Sequence, residues 1–250
     1  MAKIYCWDIE TSGLNGNGGF VLTASVVDAS KPSKVLRAFR IDDYKGWKND
    51  PGNDFALVRD LSKYLATADV WVTYYGKRFD HPFVSTRIVY WRGRGRSIEH
   101  LENVPHIDLY DTAKRRLRLH SNRLQVVSDL LGHGDKTSLE LPVWIKAAGG
   151  HKKSIDYVAK HCDKDAIILA KNYVELRPLV PAHPHIGLLN TRDLSCTACG
   201  SQRVQKRGFY VTPATKRQRI SCQECGKWGS IPFRDPATGV HKKGGKSGRR

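Results

Sequence analysis

The chain opens with three short runs of apolar and β-branched residues, at 4–7, 20–27 and 35–41, separated by turn-forming residues. Connections this short predict a three-stranded antiparallel meander. Residues 54–68 then place Phe55, Leu57, Val58, Leu61, Tyr64 and Leu65 at helical spacing, and residues 70–75 return to strand, so the order β-β-β-α-β opens the domain. Pro82 fits the first turn of a helix that follows Asp80 and runs toward Trp91. A short fifth strand is expected at 106–109, with helices at 110–119, 124–131 and 143–148, the last stopped by Gly149-Gly150. The longest helical pattern starts after Ser154, read as its N-cap, and continues to Pro178 along a stripe formed by Ile155, Val158, Ala159, Cys162, Ala166, Leu169, Tyr173 and Leu176. With 250 residues and 40% apolar content, the chain can build one α/β domain with a real core and a small module beside it.

Several carboxylates interrupt this apolar framework. Asp8 and Glu10 flank Ile9 at the end of the opening strand, and residues i and i+2 of a strand project to the same side. Two like charges there repel unless a cation neutralises them, and hard oxygen ligands suit Mg²⁺ or Mn²⁺. Taken alone, the pair reads more simply as a turn-capping acid beside a solvated one. On the long helix, Asp165 sits beside the apolar stripe, and His161, four residues earlier, shares its side. Asp163 is rotated away by about two steps of 100°.

The cysteines and the charge distribution mark a second module. Cys196-x-x-Cys199 and Cys222-x-x-Cys225 read as a four-thiolate zinc site, closed and therefore structural. A disulfide reading needs an oxidising compartment, for which the sequence gives no support. The net charge is +18, and from Asn190 onward basic residues outnumber acidic ones 14 to 3. Such a balance implies a polyanionic partner or, more simply, a soluble basic surface. Between the cysteine pairs, Arg203, Lys206, Arg207, Phe209, Tyr210, Arg217 and Arg219 interleave cations with aromatic rings, a pattern suited to nucleic-acid backbone tracking and base stacking. Arg92, Arg94 and Arg96 alternate with glycines, either as phosphate contacts or as a solvated loop. The expected organisation is a domain at 1–178, a Pro-rich linker at 179–193 with exposed His183 and His185, a zinc ribbon at 194–234 and a basic flexible tail at 235–250.

Asp8-x-Glu10, the stretch from Tyr75 to Asp80, and His161-x-x-x-Asp165 together resemble the three exonuclease motifs of the DEDD superfamily. The nearest resemblance is to family B DNA polymerase-like predicted exonucleases and to stand-alone bacterial and phage ribonuclease-H-like proteins. It implies a ribonuclease-H-like mixed five-stranded sheet flanked by helices, followed by the small zinc-ribbon β module. It also implies a 3′–5′ exonuclease in which Asp8, Glu10, Asp80 and Asp165 hold two Mg²⁺ or Mn²⁺ ions, with His161 as the matching candidate for the base that acts on water. Tyr75 stands where the family B pattern often has Asn, so a stacking contact would replace an amide hydrogen bond there. His161 occupies the position of a Tyr, which leaves a catalytic or a structural role. Asp108 resembles an accessory acid of related nucleases and fits a helix cap equally well.

Single-stranded DNA is the favoured substrate, with RNA open. Structure-selective endonuclease action at the same site and a non-catalytic nucleic-acid-binding or recruitment factor are the rival readings. No apolar run approaches the roughly 18 residues of a membrane span, and the N-terminus does not read as a signal peptide. The expected location is cytoplasmic, in the host cytoplasm if the protein is phage-encoded.

Overall fold

The computed structural model describes residues 2–134, 140–190 and 194–233. The chain divides into two compact units, Met1–Pro184 and His185–Arg250. In the first unit, strands β1 (Ile4–Thr11), β2 (Val21–Asp28), β3 (Val35–Arg40), β4 (Val70–Thr73) and β5 (His106–Asp108) form one sheet in the order β3-β2-β1-β4-β5. The first three strands are antiparallel, whereas β1–β4 and β4–β5 are parallel, as the intervening helices α1 (Phe55–Leu65) and α2 (Asp80–Arg92) require. Helices α3 (Leu109–Arg116), α4 (Leu124–Leu130), α5 (Leu141–Ala148) and α6 (Lys152–Leu176) complete the unit. This is the mixed, helix-flanked five-stranded sheet expected of a ribonuclease-H-like fold.

Strand periodicity decides what each face of β1 carries. Tyr5, Trp7 and Ile9 are buried in the main apolar cluster with Leu57, Leu61 and Phe83. Tyr5 stacks on Tyr64 of α1, and Trp7 meets Trp71 of β4 edge to face. The alternate residues Asp8 and Glu10 therefore look the other way. Helix α6 packs along β1 and β2, and the Cys162 thiol donates to the Asp8 carbonyl at 3.4 Å.

A buried ion pair ties the outer helices to the meander. Asp54 accepts from Arg87 Nε at 2.9 Å and Nη2 at 2.7 Å, from the Trp91 indole at 2.7 Å and from the Val21 amide at 2.8 Å. Arg87 also donates to the Gly16 carbonyl at 3.0 Å. Removing one partner leaves a buried charge without compensation, so Asp54→Ala is expected to cost about 3–5 kcal/mol. For a unit of this size that lowers Tm by roughly 10 °C. Calorimetry measures it directly, and a shift within 2 °C of zero would refute the assignment.

Four expectations are corrected. Helix α6 begins two residues before Ser154, with His151 as N-cap, because Gly150 adopts a left-handed φ of 86° that ends α5 and lets the next helix start at once. Ser154 Oγ instead meets His151 Nδ1 at 2.9 Å. Strand β4 stops at Thr73 because Tyr75 takes a left-handed φ of 66°. Of the segment expected as a linker at 179–193, the described residues up to 190 do not run as one continuous extended stretch either. Val180 is buried and His183 Nε2 bonds the Tyr173 hydroxyl at 2.8 Å, while the second unit opens at His185, whose ring caps helix α7 (Ile186–Leu189) by accepting from the Leu188 amide. Both histidines are half-buried and bonded, where exposed side chains were expected.

The second unit is an antiparallel sheet of β6 (Val204–Val211), β7 (Lys216–Cys222) and β8 (Trp228–Pro232). The tail expected at 235–250 lies outside the described residues. Among the described residues no helix is long and apolar enough to cross a membrane.

Candidate active site

The end of β1 meets the middle of α6. Glu10, His161 and Asp165 are each less than one-tenth exposed. His161 Nε2 lies 3.6 Å from Glu10 Oε1 and 3.7 Å from Asp165 Oδ2, and the three side chains bring one ligand atom each to within 4.8 Å of the others. Helical geometry makes the selection. Asp163, two residues before Asp165, turns to β2 and accepts from the Ser25 hydroxyl at 2.5 Å. Asp8 is half-buried on the same strand. Burial, followed by the charges of Asp8 and Glu10, drives the neighbouring Cys162 thiol well above its ordinary range and keeps it protonated.

Asp80 arrives from a different element, the first turn of α2. Its Oδ1 accepts from the Ile9 amide at 3.2 Å, so its carboxyl is fastened to the β1 backbone at the residue between Asp8 and Glu10 in sequence. Burial pushes the Asp80 carboxyl up to about 7, while the Ile9 amide and its own backbone amide pull the other way. The structure thus brings Glu10, His161 and Asp165 into one cluster and ties Asp80 to the backbone of the same strand. Asp8 contributes its carbonyl to Cys162 and stands outside the tight trio.

The segment joining β4 to Asp80 is held in an unusual shape. Asp108 caps α3 by accepting from the Tyr110 amide at 3.0 Å, and it also accepts from the Tyr75 amide at 2.8 Å and the Lys77 amide at 3.2 Å. Its role in the structure is therefore a cap and a brace for the loop. These bonds offset the cost of left-handed Tyr75, of order 1–3 kcal/mol. Gly76 is required next to it, since a Cβ there would come within 2.5 Å of the Thr73 side chain. Gly76→Ala is expected to move the loop and with it Asp80. The activity of the site should fall by at least tenfold while Tm drops by only a few degrees, and unchanged activity would show that the loop position does not matter.

Tyr75 is partly exposed, packs edge to face on Tyr110 with ring centroids 5.0 Å apart, and shares the Arg78 guanidinium with it. Sequence reading missed Arg78 and Tyr110, although Arg78 lies inside the very stretch that carries Asp80. Arg92, Arg94 and Arg96 are engaged locally. Arg92 donates to the Ile98 carbonyl at 2.7 Å, Arg94 lies 3.4 Å from the Tyr90 ring centroid, and Arg96 lies over Phe55.

In the second unit, the four cysteines converge. Cys196 and Cys225 sulfurs lie 3.6 Å apart, as do those of Cys199 and Cys222. A disulfide would need about 2.05 Å. Four sulfurs at about 2.3 Å around a tetrahedral ion stand roughly 3.8 Å from one another, so the residues present fit zinc. Amides of Ala198 and Glu224 point at Cys196 and Cys222 sulfurs, each at 3.4 Å, which favours thiolate charge. The basic and aromatic residues Arg203, Lys206, Arg207, Phe209, Tyr210, Arg217 and Arg219 all lie on or beside β6 and β7.

Comparison with known proteins follows the same division. The profile of the RNase_H superfamily matches residues 5–176, which contain Asp8, Glu10, Asp80, Asp108 and Asp165. Among solved structures, the family B DNA polymerase of the hyperthermophilic archaeon Pyrobaculum calidifontis is similar, with a TM-score of 0.53 and 13% identity over 71% of this chain. The match spans 25% of the polymerase, and at that identity it concerns the fold alone. No curated protein sequence matches the chain.

Proposed function

The chain belongs to the RNase_H superfamily, and on that premise we propose that it is a metal-dependent 3′–5′ exonuclease acting on single-stranded nucleic acid, DNA ahead of RNA. The observation that carries this reading is the convergence of Glu10, His161 and Asp165, with Asp80 fastened to the Ile9 amide beside them. Glu10 and Asp165 bring carboxylate oxygens to within 4.8 Å of each other, a separation that a Mg²⁺ or Mn²⁺ ion would bridge after a small adjustment, and four carboxylates would balance two such ions. Two divalent ions supply water activation and stabilisation of charge on the transferring phosphate.

The protein's own residues do the positioning. Glu10 and Asp165 face each other across the β1–α6 contact, Asp8 adds a carboxylate from the same strand, and the Asp108-braced loop delivers Asp80. His161 Nε2, close to both carboxylates, takes the proton of the attacking water. Tyr75 offers an exposed ring to a base or sugar. The four cysteines would hold one structural zinc, and the basic second unit would help retain the strand.

The test compares labelled single strands, duplexes and RNA incubated with Mg²⁺ or Mn²⁺ and full-length protein. Stepwise shortening from the 3′ end is expected. Discrete internal cuts would replace the exonuclease reading with an endonuclease, and binding without cleavage would replace it with a recruitment factor.

A further inference from the structure

The strand register of the second unit sorts its basic and aromatic residues onto two faces. Directly opposed residues share a face, and β7 alternates along its length. Gln218 and Ile220 are buried on one side, with Phe209 opposite Gln218 and Lys206 opposite Ile220. On the other side lie Arg217 opposite Tyr210, Arg219 opposite Ser230, and Ser221 opposite Trp228. Arg207 joins this second face through a 3.2 Å bond from its Nε to the Ser221 hydroxyl.

We propose that this second face, with Tyr210 and Trp228 as stacking rings and Arg207, Arg217 and Arg219 as phosphate contacts, is the surface on which the second unit binds a single nucleic-acid strand. The inference rests on the reading of the chain as a nucleic-acid enzyme and says which residues hold the strand. Tyr210 is 53% and Trp228 55% exposed, unusual for rings of their size. Serine hydroxyls brace the guanidinium groups: Arg217 Nε donates to Ser230 Oγ at 2.9 Å and its Nη2 to the Ser230 carbonyl at 3.0 Å. Arg219 lies 5.2 Å from the Trp228 ring centroid, which leaves its charge outward beside an aromatic plane. Among the described residues of this unit the carboxylate side chain is Glu224, and Arg203 binds it at 2.8 Å.

The spacing also favours an unpaired strand. Tyr210 and Trp228 are two strands and four residues apart, a diagonal of roughly 16 Å at ordinary sheet dimensions. No single base bridges that, so the rings take separate bases and the arginines between them meet the connecting phosphates. A duplex keeps its bases stacked inside and offers such rings no flat surface. Phe209 belongs to a different arrangement. It packs on Phe233 and carries the Lys216 ammonium 4.1 Å above its ring on the opposite face.

Fluorescein-labelled oligothymidylate and its duplex are titrated with the full chain by anisotropy, without added divalent metal. Trp228→Leu and Tyr210→Leu, which keep apolar bulk but remove the ring, are expected to weaken single-strand affinity by roughly tenfold each. Phe209→Leu should stay within about twofold of the unaltered chain, and the duplex should bind more weakly than the single strand. As a second readout, oligothymidylate should quench tryptophan emission of the unaltered chain and leave that of Trp228→Phe largely unquenched. Equal losses from Phe209→Leu, full affinity in Trp228→Leu, equal duplex affinity or an unchanged quench in Trp228→Phe would each overturn the proposal. Because no cleavage is involved, these outcomes are independent of whether the first unit proves to be an exonuclease.

Discussion

Asp8→Ala and Asp165→Asn are each expected to slow strand cleavage by about a thousandfold or more in Mg²⁺ or Mn²⁺. A bound metal contributes several kcal/mol of charge stabilisation, and each 1.36 kcal/mol is tenfold in rate. Asp165→Asn keeps the volume of a side chain buried against Glu10 and His161 and removes its negative charge. The fold should therefore survive, and without divalent metal its Tm should match or exceed that of the unaltered chain, since two neighbouring acids no longer repel. Metal linkage gives an independent readout. At a Mn²⁺ concentration one hundred times the dissociation constant, binding stabilises the native state by about 2.7 kcal/mol, or roughly 5–10 °C in a unit of this size. That rise should appear in the unaltered chain and shrink in Asp165→Asn. A variant that still cleaves within tenfold, or that keeps the full metal-induced rise, would remove Asp165 from the metal site.

Stripping zinc is the second large effect. In the second unit the buried cluster around the cysteines consists of Cys196, Ala198 and Cys222, with Cys199, Val204 and Cys225 packed beside it. Much of that core is made of the four cysteines that would hold the zinc. A closed four-thiolate site supplies apparent binding energy of about 10–16 kcal/mol, and in so small a unit binding energy is folding energy. A chelator strong enough to remove zinc, or Cys222→Ser, is expected to collapse amide dispersion across residues 194–233 in a heteronuclear spectrum. The melting transition of the first unit should remain in place, and zinc added back after chelation should restore the lost signals. Retention of the signals in zinc-free protein would show that the three strands fold without the ion.

The periodic features of the chain were readable as written. Strand alternation placed Asp8 and Glu10 on the side opposite Ile9, and the 100° helical step separated Asp165 from Asp163. In the structure Asp163 bonds Ser25, whereas Asp165 lies beside His161. The spacing of the four cysteines likewise announced their convergence. Less legible were contacts between groups far apart in sequence. Asp54 meets Arg87 across 33 residues, and Asp108 reaches back about as far to the amides of Tyr75 and Lys77. Neither acid has a local pattern that marks a partner. Arg92, Arg94 and Arg96 also meet the Ile98 carbonyl, the Tyr90 ring and the Phe55 ring, contacts that the alternation with glycine did not mark.

A sequence determines periodicity, charge and ligand spacing, because these depend on neighbours within a few residues. From these alone came an α/β framework, two acids on one strand face, a third acid on a helix face and a four-cysteine module. Tertiary structure decided the rest: that Asp80 would be fastened to the Ile9 amide, that Asp108 would brace a left-handed Tyr75, and that the second unit's cations and rings would divide between two faces of a sheet. Those outcomes rest on long-range packing and strand register, in which one residue of slip would send every side chain to the opposite face.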